Sequence, residues 1–234
     1  MRRPRTIIAL GGGGFSATEF DPKLCRYIMK QSGCGRPRIC FVTTAQGDSK
    51  ATIATLSKQA RTLGARASHL SLYQQPVEPL SSFVLKRDVI YVCGGNTRNL
   101  LILWKAWGLD KVMRQAYVRG IVLAGQSAGG LCWFGSGVTD SFPGRYAPLR
   151  CLGFLRGSFC PHFDGEPKRR PVYRRLVRNR ILPGGHAADD HVALHYRDER
   201  LVRVVSSRRR GWAHRLRLLR GRLIEARIRP QLLE

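Results

Sequence analysis

The chain has no long apolar run and no closely paired cysteines. No stretch approaches the roughly 20 apolar residues that a membrane-spanning helix needs, so we expect no such helix and no membrane partner. Three arginines within residues 1–5 precede an apolar stretch, residues 6–10, that is too short for the core of a signal peptide, so we expect the first strand of a cytoplasmic protein there. The seven cysteines lack Cys-x-x-Cys spacing, which predicts free thiols, buried at Cys40, Cys93 and Cys160.

Acidic residues are scarce in this chain. There are 15 aspartate and glutamate residues against 41 lysine and arginine residues, which gives a net charge of +26. Of the basic residues 33 are arginine, and 19 of the 41 lie between position 168 and the C-terminus, which fits either a basic face or drift toward arginine codons. Because no zinc-finger, recognition-helix, RNP-type or OB-type signature accompanies them, we expect nonspecific affinity for polyanions and no specific nucleic-acid partner.

Two further absences argue against a cofactor. Gly12-x-Gly14-x-x-Ala17 formally fits a dinucleotide-binding fingerprint, but residues 42–45, at the end of the second predicted strand, contain no carboxylate to bind a ribose. No histidine, cysteine and carboxylate cluster has the spacing of metal ligands. The sequence therefore predicts neither a dinucleotide nor a metal ion.

Predicted strands and helices alternate through the first half of the chain, and strands dominate the last third. The predicted strands are residues 7–10, 38–43, 67–72, 89–93, 121–124, 157–160, 193–196, 201–205, 212–218 and 223–228. The predicted helices are residues 21–31, 50–63, 100–107, a segment from 110 to before 120, one with its apolar face at 131–134, and 171–180. This order predicts a single α/β domain over residues 1–234, with a mostly parallel sheet, helices on both faces and late antiparallel edge hairpins.

The most informative motif is Gly-Gln-Ser-Ala-Gly at residues 125–129, between a predicted strand and a predicted helix. Glycine on both sides of one serine in that context is typical of a nucleophile elbow, a turn sharp enough to hold Ser127 Oγ clear of the backbone. The turn also directs N–H groups of a helix start toward the place where an oxyanion would form. The motif predicts a catalytic serine, the alternative being a glycine-rich turn.

A serine nucleophile needs a base, and the base needs a group that orients it. Of the six histidines, His162 follows a predicted strand that ends at a proline, and open α/β sheets gather site residues at strand ends. His162 is the predicted base, with an ordinary core or surface histidine as the alternative. Asp189 and Asp190, in a later loop, are candidate acids or else loop caps. The glycine pair at residues 94–95 predicts a second oxyanion donor, or simply a tight turn capped by the next residues.

In this order, the motifs resemble those of one family of serine peptidases, which includes aspartyl dipeptidase (peptidase E) and, more distantly, cyanophycinase. The matching motifs are Gly-Gly-Gly-Gly-Phe-Ser at residues 11–16, Val-Ile-Tyr-Val-Cys-Gly-Gly-Asn-Thr at 89–97, Gly-Gln-Ser-Ala-Gly at 125–129, Cys-Pro-His-Phe-Asp-Gly-Glu at 160–166 and Ala-Ala-Asp-Asp at 187–190. The resemblance covers essentially the whole chain. It implies a three-layer α/β/α sandwich like that of class I glutamine amidotransferases.

The resemblance also implies roles for individual residues. Ser127 would be the nucleophile, His162 the base, and a carboxylate of the pair Asp189 and Asp190 the acid, with Asp190 preferred although relatives carry glutamate there. The implied oxyanion donors are the N–H groups of Gly95 and Ala128, and Asn96, Arg169 and Arg170 are the candidate substrate contacts, an arginine holding the N-terminal aspartate of a dipeptide. The expected partner is a small peptide, and no cofactor is implied.

The sequence leaves two alternative functions. An esterase of the α/β-hydrolase type is disfavoured because the order here is serine, histidine, acid, whereas that fold has serine, acid, histidine. The other is an altered or inactive amidotransferase-like binding protein, whose arginine-rich surface would hold an anionic partner. Neither the oligomeric state nor the exact peptide follows from the sequence.

Overall fold

Short apolar runs form the strands of this protein, and segments with one apolar face form its helices. The computed structural model describes residues 3–76 and 78–234; Met1 and Arg2 of the basic start and Val77 of a predicted loop lie outside these residues. The helices are α1 (Pro22–Lys30), α2 (Lys50–Thr62), α3 (Leu80–Val84), α4 (Thr97–Ala106), α5 (Leu109–Val118), α6 (Ala128–Leu131) and α7 (Arg169–Arg178). The strands are β1 (Thr6–Leu10), β2 (Arg38–Val42), β3 (Arg66–Leu70), β4 (Val89–Val92), β5 (Val122–Gln126), β6 (Phe134–Phe142), β7 (Arg145–Arg150), β8 (Leu155–Cys160), β9 (Gly185–Ala188), β10 (Val192–Arg197), β11 (Arg200–Ser206), β12 (Ala213–Leu219), β13 (Arg222–Ile228) and β14 (Gln231–Leu232).

The main sheet has eight strands in the order β14-β11-β10-β1-β5-β4-β2-β3. The five consecutive strands β1, β5, β4, β2 and β3 are parallel to one another, whereas β10 is antiparallel to both β1 and β11. Alternate residues of β1 face opposite layers, because Ile7 belongs to the core that contains Trp104 of α4, and Ile8 to the core that contains Leu24 of α1. The predicted α/β fold, with helices on both faces of a mostly parallel sheet, is confirmed.

A second sheet of six strands, in the order β13-β12-β9-β8-β6-β7, extends this layout. Strands β6 and β7 were not predicted, and the prediction that residues 131–134 form one helix face was wrong, because α6 ends at Leu131 and β6 begins at Phe134. The Phe134 ring stacks on that of Phe159 in β8, with centroids 4.8 Å apart, so this apolar side chain packs between two strands of the second sheet. The β12–β13 hairpin is antiparallel as predicted but belongs to this second sheet.

The two sheets meet where several strands end. Strands β1, β4 and β5 are neighbours in the main sheet, so the loops that follow them lie side by side. Strands β8 and β9 are parallel neighbours in the second sheet, and a bridge between Gly12 and Asp190 joins the loop after β1 to the loop after β9. The loops that carry the sequence motifs therefore converge on one place.

Three further expectations bear on this architecture. All seven cysteines are free, and Cys40, Cys93 and Cys160 are buried as predicted. Among residues 3–76 and 78–234, no helix is both long and apolar enough to cross a membrane. The single-domain organisation stays a prediction.

Candidate active site

Ser127 lies in a strained turn between β5 and α6. Its φ of 53° and ψ of −117° are unusual for a residue with a side chain, and such backbone strain costs about 1–3 kcal/mol. The turn is held by hydrogen bonds, since the Ser127 N–H donates to the Leu10 carbonyl at 3.1 Å and the Ser127 carbonyl accepts from Gly130 and Leu131 N–H at 3.0 and 2.8 Å. The predicted strand–serine–helix turn is thus present.

The two glycines of the motif allow this turn to approach the neighbouring strand β4. A Cβ atom on Gly129 would lie 2.0 Å from the Val92 carbonyl oxygen, and one on Gly125 would lie 2.5 Å from the same oxygen. Both distances are far shorter than any real contact of a carbon atom. Side chains at these positions would force the elbow away from the sheet.

His162 and Asp190 form a close pair beside this turn. His162 Nδ1 lies 2.6 Å from Asp190 Oδ1, and both side chains are about four-fifths shielded from solvent, at 21% and 20% exposure. Burial acts to raise the pKa of the Asp190 carboxyl, but the hydrogen bond with His162 and the charges of Arg208 and His191 outweigh it, so this pKa lies below its ordinary value. Asp190 is accordingly an ionised acceptor for the imidazole.

The loop around Asp190 is fixed by other side chains. The Asp190 N–H donates to Asp164 Oδ1 at 2.9 Å, and the other oxygen of Asp164 accepts from the Arg208 guanidinium. Arg208 is therefore linked to Asp190 through a single carboxylate.

Asp189 points elsewhere. Its Oδ2 accepts from the Trp212 N–H at 2.9 Å, and its Oδ1 lies 3.7 Å from Nε2 of the buried His214. The two adjacent aspartates therefore contact different parts of the structure. Asp190 lies beside His162, and Asp189 lies beside the second sheet.

Two predicted oxyanion donors border the same place. Gly95 follows β4, and Ala128 is the first residue of α6. Within residues 3–76 and 78–234, the structure gives no acceptor to either N–H group. A Cβ atom on Gly94 would lie 3.1 Å from Ser127 Cβ, which shows how closely this loop approaches the serine.

These loops enclose a cavity of about 270 Å³. Its lining residues are Gly12, Gly13, Ser16, Thr18, Glu19, Gln46, Gly94, Gly95, Gln126, Ser127 and His162. The cavity thus brings together Ser127 and His162, and Glu19 adds a carboxylate that the sequence analysis did not single out. Gln126 Oε1 is buried and has no hydrogen-bond donor in the described part of the chain.

Three predicted substrate contacts do not line this cavity. Arg169 is only 2% exposed, and its guanidinium bonds Glu166 Oε2 at 2.7 Å and the Val138 carbonyl at 3.1 Å, so it is committed to the interior. Arg170 pairs with Glu225 at 2.8 Å. Asn96 Oδ1 accepts from the Asn99 N–H at 2.9 Å and caps α4, as the alternative interpretation of that motif expected. None of the three is a lining residue of this cavity, and their role as substrate contacts stays a prediction.

The other histidines have different surroundings. His186, expected in a loop, lies in β9 and bonds the Tyr196 hydroxyl at 2.9 Å, while His195 bonds the Tyr27 hydroxyl at 2.6 Å. Burial lowers the pKa of each of these two histidines to about 4, which keeps them neutral at ordinary pH. Among the described residues, His162 is the histidine that lines the Ser127 cavity.

His191, next to Asp190, forms a second histidine–carboxylate pair that the sequence analysis missed. His191 Nδ1 lies 2.8 Å from Asp21 Oδ2, and that oxygen also accepts from the Ser207 hydroxyl. The bond with Asp21 raises the pKa of His191 against the opposing effect of burial. For Asp21, burial acts to raise the pKa, but the bonds with His191 and Ser207 prevail and lower it.

We expect this pair to make stability depend on pH in two directions. The contribution of His191 is complete below its ordinary pKa of 6.5 and is lost as pH rises through the raised value. The contribution of Asp21 is complete above its ordinary pKa of 3.8 and is lost as pH falls through the lowered value. His191→Gln should therefore lower Tm more at about pH 6 than at about pH 9, measured by thermal unfolding. An equal loss at the two pH values would contradict the assignment.

Comparison with known proteins decides which family this site belongs to. The model of peptidase family S51 matches residues 7–204, a span that contains the elbow, His162 and both aspartates. The chain belongs to peptidase family S51. As a member of this family it is a peptidase of the serine type, which confirms the resemblance found in its motifs.

Relatives of this S51 peptidase agree with the assignment. The uncharacterized peptidase YgaJ of Bacillus subtilis (strain 168) is 51% identical over 221 residues, which cover 94% of this chain and 96% of that protein. The uncharacterized peptidase Lin0382 of Listeria innocua serovar 6a is 22% identical over 64% of this chain and 75% of its own length.

Two solved structures share the fold of the S51 peptidase. A peptidase from an acI-B1 actinobacterium has a TM-score of 0.71 at 17% identity, covering 95% of this chain and 96% of that one. A putative peptidase E protein from Listeria monocytogenes EGD-e has a TM-score of 0.62 at 17% identity, covering 97% and 100%. At such identities the likeness concerns the fold alone.

Proposed function

We propose that this S51 peptidase hydrolyses small peptides with a free amino terminus through Ser127, His162 and Asp190. The observation that carries the proposal is the 2.6 Å contact between His162 Nδ1 and Asp190 Oδ1, with His162 and the elbow serine lining one cavity. A bond at Nδ1 leaves Nε2 of the same imidazole free to take a proton from a hydroxyl.

The proposed reaction is acyl transfer in two steps. Ser127 Oγ attacks the peptide carbonyl while His162 accepts its proton, and His162 then donates that proton to the leaving amine. A water molecule, activated by the same histidine, hydrolyses the acyl-enzyme. Asp190 holds the imidazole tautomer and stabilises the transient imidazolium, and the N–H groups of Gly95 and Ala128 stabilise the oxyanion.

The lining of the cavity supports recognition of the substrate's amino terminus. Glu19 offers a carboxylate in this lining, which suits an ammonium group. Small peptides are favoured because the cavity, about 270 Å³, is small among ligand sites.

For the first residue of the substrate we propose aspartate, with dipeptides as the class. No lysine or arginine is among the described lining residues, so the aspartate carboxylate would be held by neutral donors. Ser16, Thr18 and Gln46 offer hydroxyl and amide groups for this purpose.

The experiment is a hydrolysis panel of dipeptides that begin with aspartate, alanine or lysine, their N-acetylated forms, and p-nitrophenyl esters. We expect N-acetylation to reduce kcat/KM by about 100-fold, and Glu19→Gln to raise KM about tenfold with a much smaller change in kcat. Equal turnover of free and acetylated dipeptides would refute amino-terminal recognition. A preference for lysine over aspartate would refute the aspartyl specificity while leaving the triad intact.

Gly12 offers a steric test of the triad. A Cβ atom at this position would lie 2.3 Å from Asp190 Oδ1 and 3.1 Å from His162 Cε1, so Gly12→Ala must displace the pair. Because misplacement by about 1 Å can cost about 100-fold in rate, we expect kcat to fall by about that factor. The matched control is Gly35→Ala, whose added methyl group meets no atom within 4 Å and should leave kcat unchanged. Full activity in Gly12→Ala would show that the pair is not needed in this geometry.

A further inference from the structure

We infer that a second cavity, separate from the one that contains Ser127, binds a phosphorylated small molecule and that its occupancy slows the peptidase. The cavity measures about 520 Å³ and lies between the end of β11 and the C-terminal segment. Its lining residues are Ser206, Arg208, Arg209, Gly211, Trp212, Arg229, Pro230 and Leu232. It shares no lining residue with the cavity that contains Ser127.

The charge of this cavity is unbalanced. Three arginines and no acidic residue are among the described lining residues. Arg208 pairs with Asp164, but neither Arg209 nor Arg229 forms an ion pair with any residue in the ranges 3–76 and 78–234. In addition, Arg208 Nε is buried and lacks an acceptor within those ranges. These guanidinium groups favour an anionic ligand.

The shape and donor chemistry favour a phosphate ester over a free inorganic ion. Guanidinium groups present several N–H donors in a planar fork that matches phosphate oxygens. A volume of about 520 Å³ is within the range of small-molecule sites and leaves room beyond one phosphate group. Trp212 and Leu232 supply apolar surface in the same lining for the organic part of the ligand.

The cavity is connected to the acid of the proposed triad. The Arg208 guanidinium bonds one oxygen of Asp164, and the other oxygen accepts the Asp190 N–H at 2.9 Å. A phosphate that draws Arg208 toward itself competes with Asp164 and loosens the support of the Asp190 loop. This link to turnover rests on the proposed function, whereas binding itself does not.

Titration calorimetry with phenyl phosphate, beside inorganic phosphate, tests the site. We expect saturable binding of one phenyl phosphate per chain, weaker binding of inorganic phosphate, and a loss of affinity of about tenfold or more in the double variant Arg209→Gln/Arg229→Gln. Because a net charge of +26 attracts any anion, the matched control is Arg61→Gln/Arg66→Gln, which removes the same charge from exposed positions outside the cavity. Equal weakening in both double variants, or no saturable binding, would overturn the site.

The effect of an occupied second cavity on peptidase turnover is measured separately. Saturating phenyl phosphate should lower the kcat of dipeptide hydrolysis several-fold in the wild type and in the control variant, but not in Arg209→Gln/Arg229→Gln. An unchanged kcat in the saturated wild type would overturn the coupling. If no dipeptide is hydrolysed at all, the calorimetric result still decides whether the site exists, so failure of the proposed function and failure of this site are distinguishable.

Discussion

Ser127→Ala is expected to lower the kcat of dipeptide hydrolysis by about 10⁵-fold or more, because removal of a serine nucleophile has an effect of that size in a triad enzyme. The measurement is steady-state hydrolysis of the best dipeptide of the panel by wild type and variant. Ser68→Ala is a matched control, since Ser68 lies in β3 and bonds the Ile39 carbonyl far along the sheet. Turnover that survives Ser127→Ala would rule out the serine mechanism.

The backbone at Ser127 extends this prediction to stability. Alanine keeps the strain of φ 53° and ψ −117°, whereas glycine adopts such conformations at much lower cost. Ser127→Gly should therefore be as inactive as Ser127→Ala but have a higher Tm. If the two variants unfolded at the same temperature, the turn would not be storing strain.

Asp190→Asn is expected to lower kcat by about 10⁴-fold, the effect of the corresponding change in a well-studied triad, because the amide no longer stabilises the imidazolium or fixes its tautomer. Asp189→Asn is the matched comparison, one position away and equal in size. The remaining carbonyl oxygen of the variant side chain can still accept the Trp212 N–H, so kcat should change by less than about tenfold.

Measuring both variants at the same substrate concentrations identifies the acid. In thermal unfolding, Asp189→Asn should lower Tm more than Asp190→Asn does, since Asp189 is 5% exposed and lies beside the buried His214. A large loss of kcat in Asp189→Asn together with a small one in Asp190→Asn would transfer the role of the acid to Asp189.

The main sheet and the elbow could be predicted from the sequence because their signals are local. An apolar strand, a serine between glycines and a following helix are all encoded within residues 121–131. The alternation of the earlier elements was equally readable, since central strands such as β1 and β4 are almost wholly apolar.

The second sheet and the arginine contacts could not be predicted because their causes are distant in the sequence. Phe134 packs its ring on that of Phe159, which is 25 positions later, and Arg169 is buried because Glu166 and the Val138 carbonyl satisfy its guanidinium. His191 meets a partner 170 positions earlier, Asp21, and only the charged run at residues 189–191 hinted at it.

The residues of the proposed triad come from two different sheets, and this has a consequence for biosynthesis. Ser127 follows a strand of the eight-stranded sheet, whereas His162 and Asp190 follow strands of the six-stranded one. The Asp190 N–H is bonded by Asp164, which is bonded in turn by Arg208, so residues made late in translation complete this support. With the proposed triad, a nascent chain on the ribosome would carry an inert serine, and proteolytic competence would arise only after both sheets have docked.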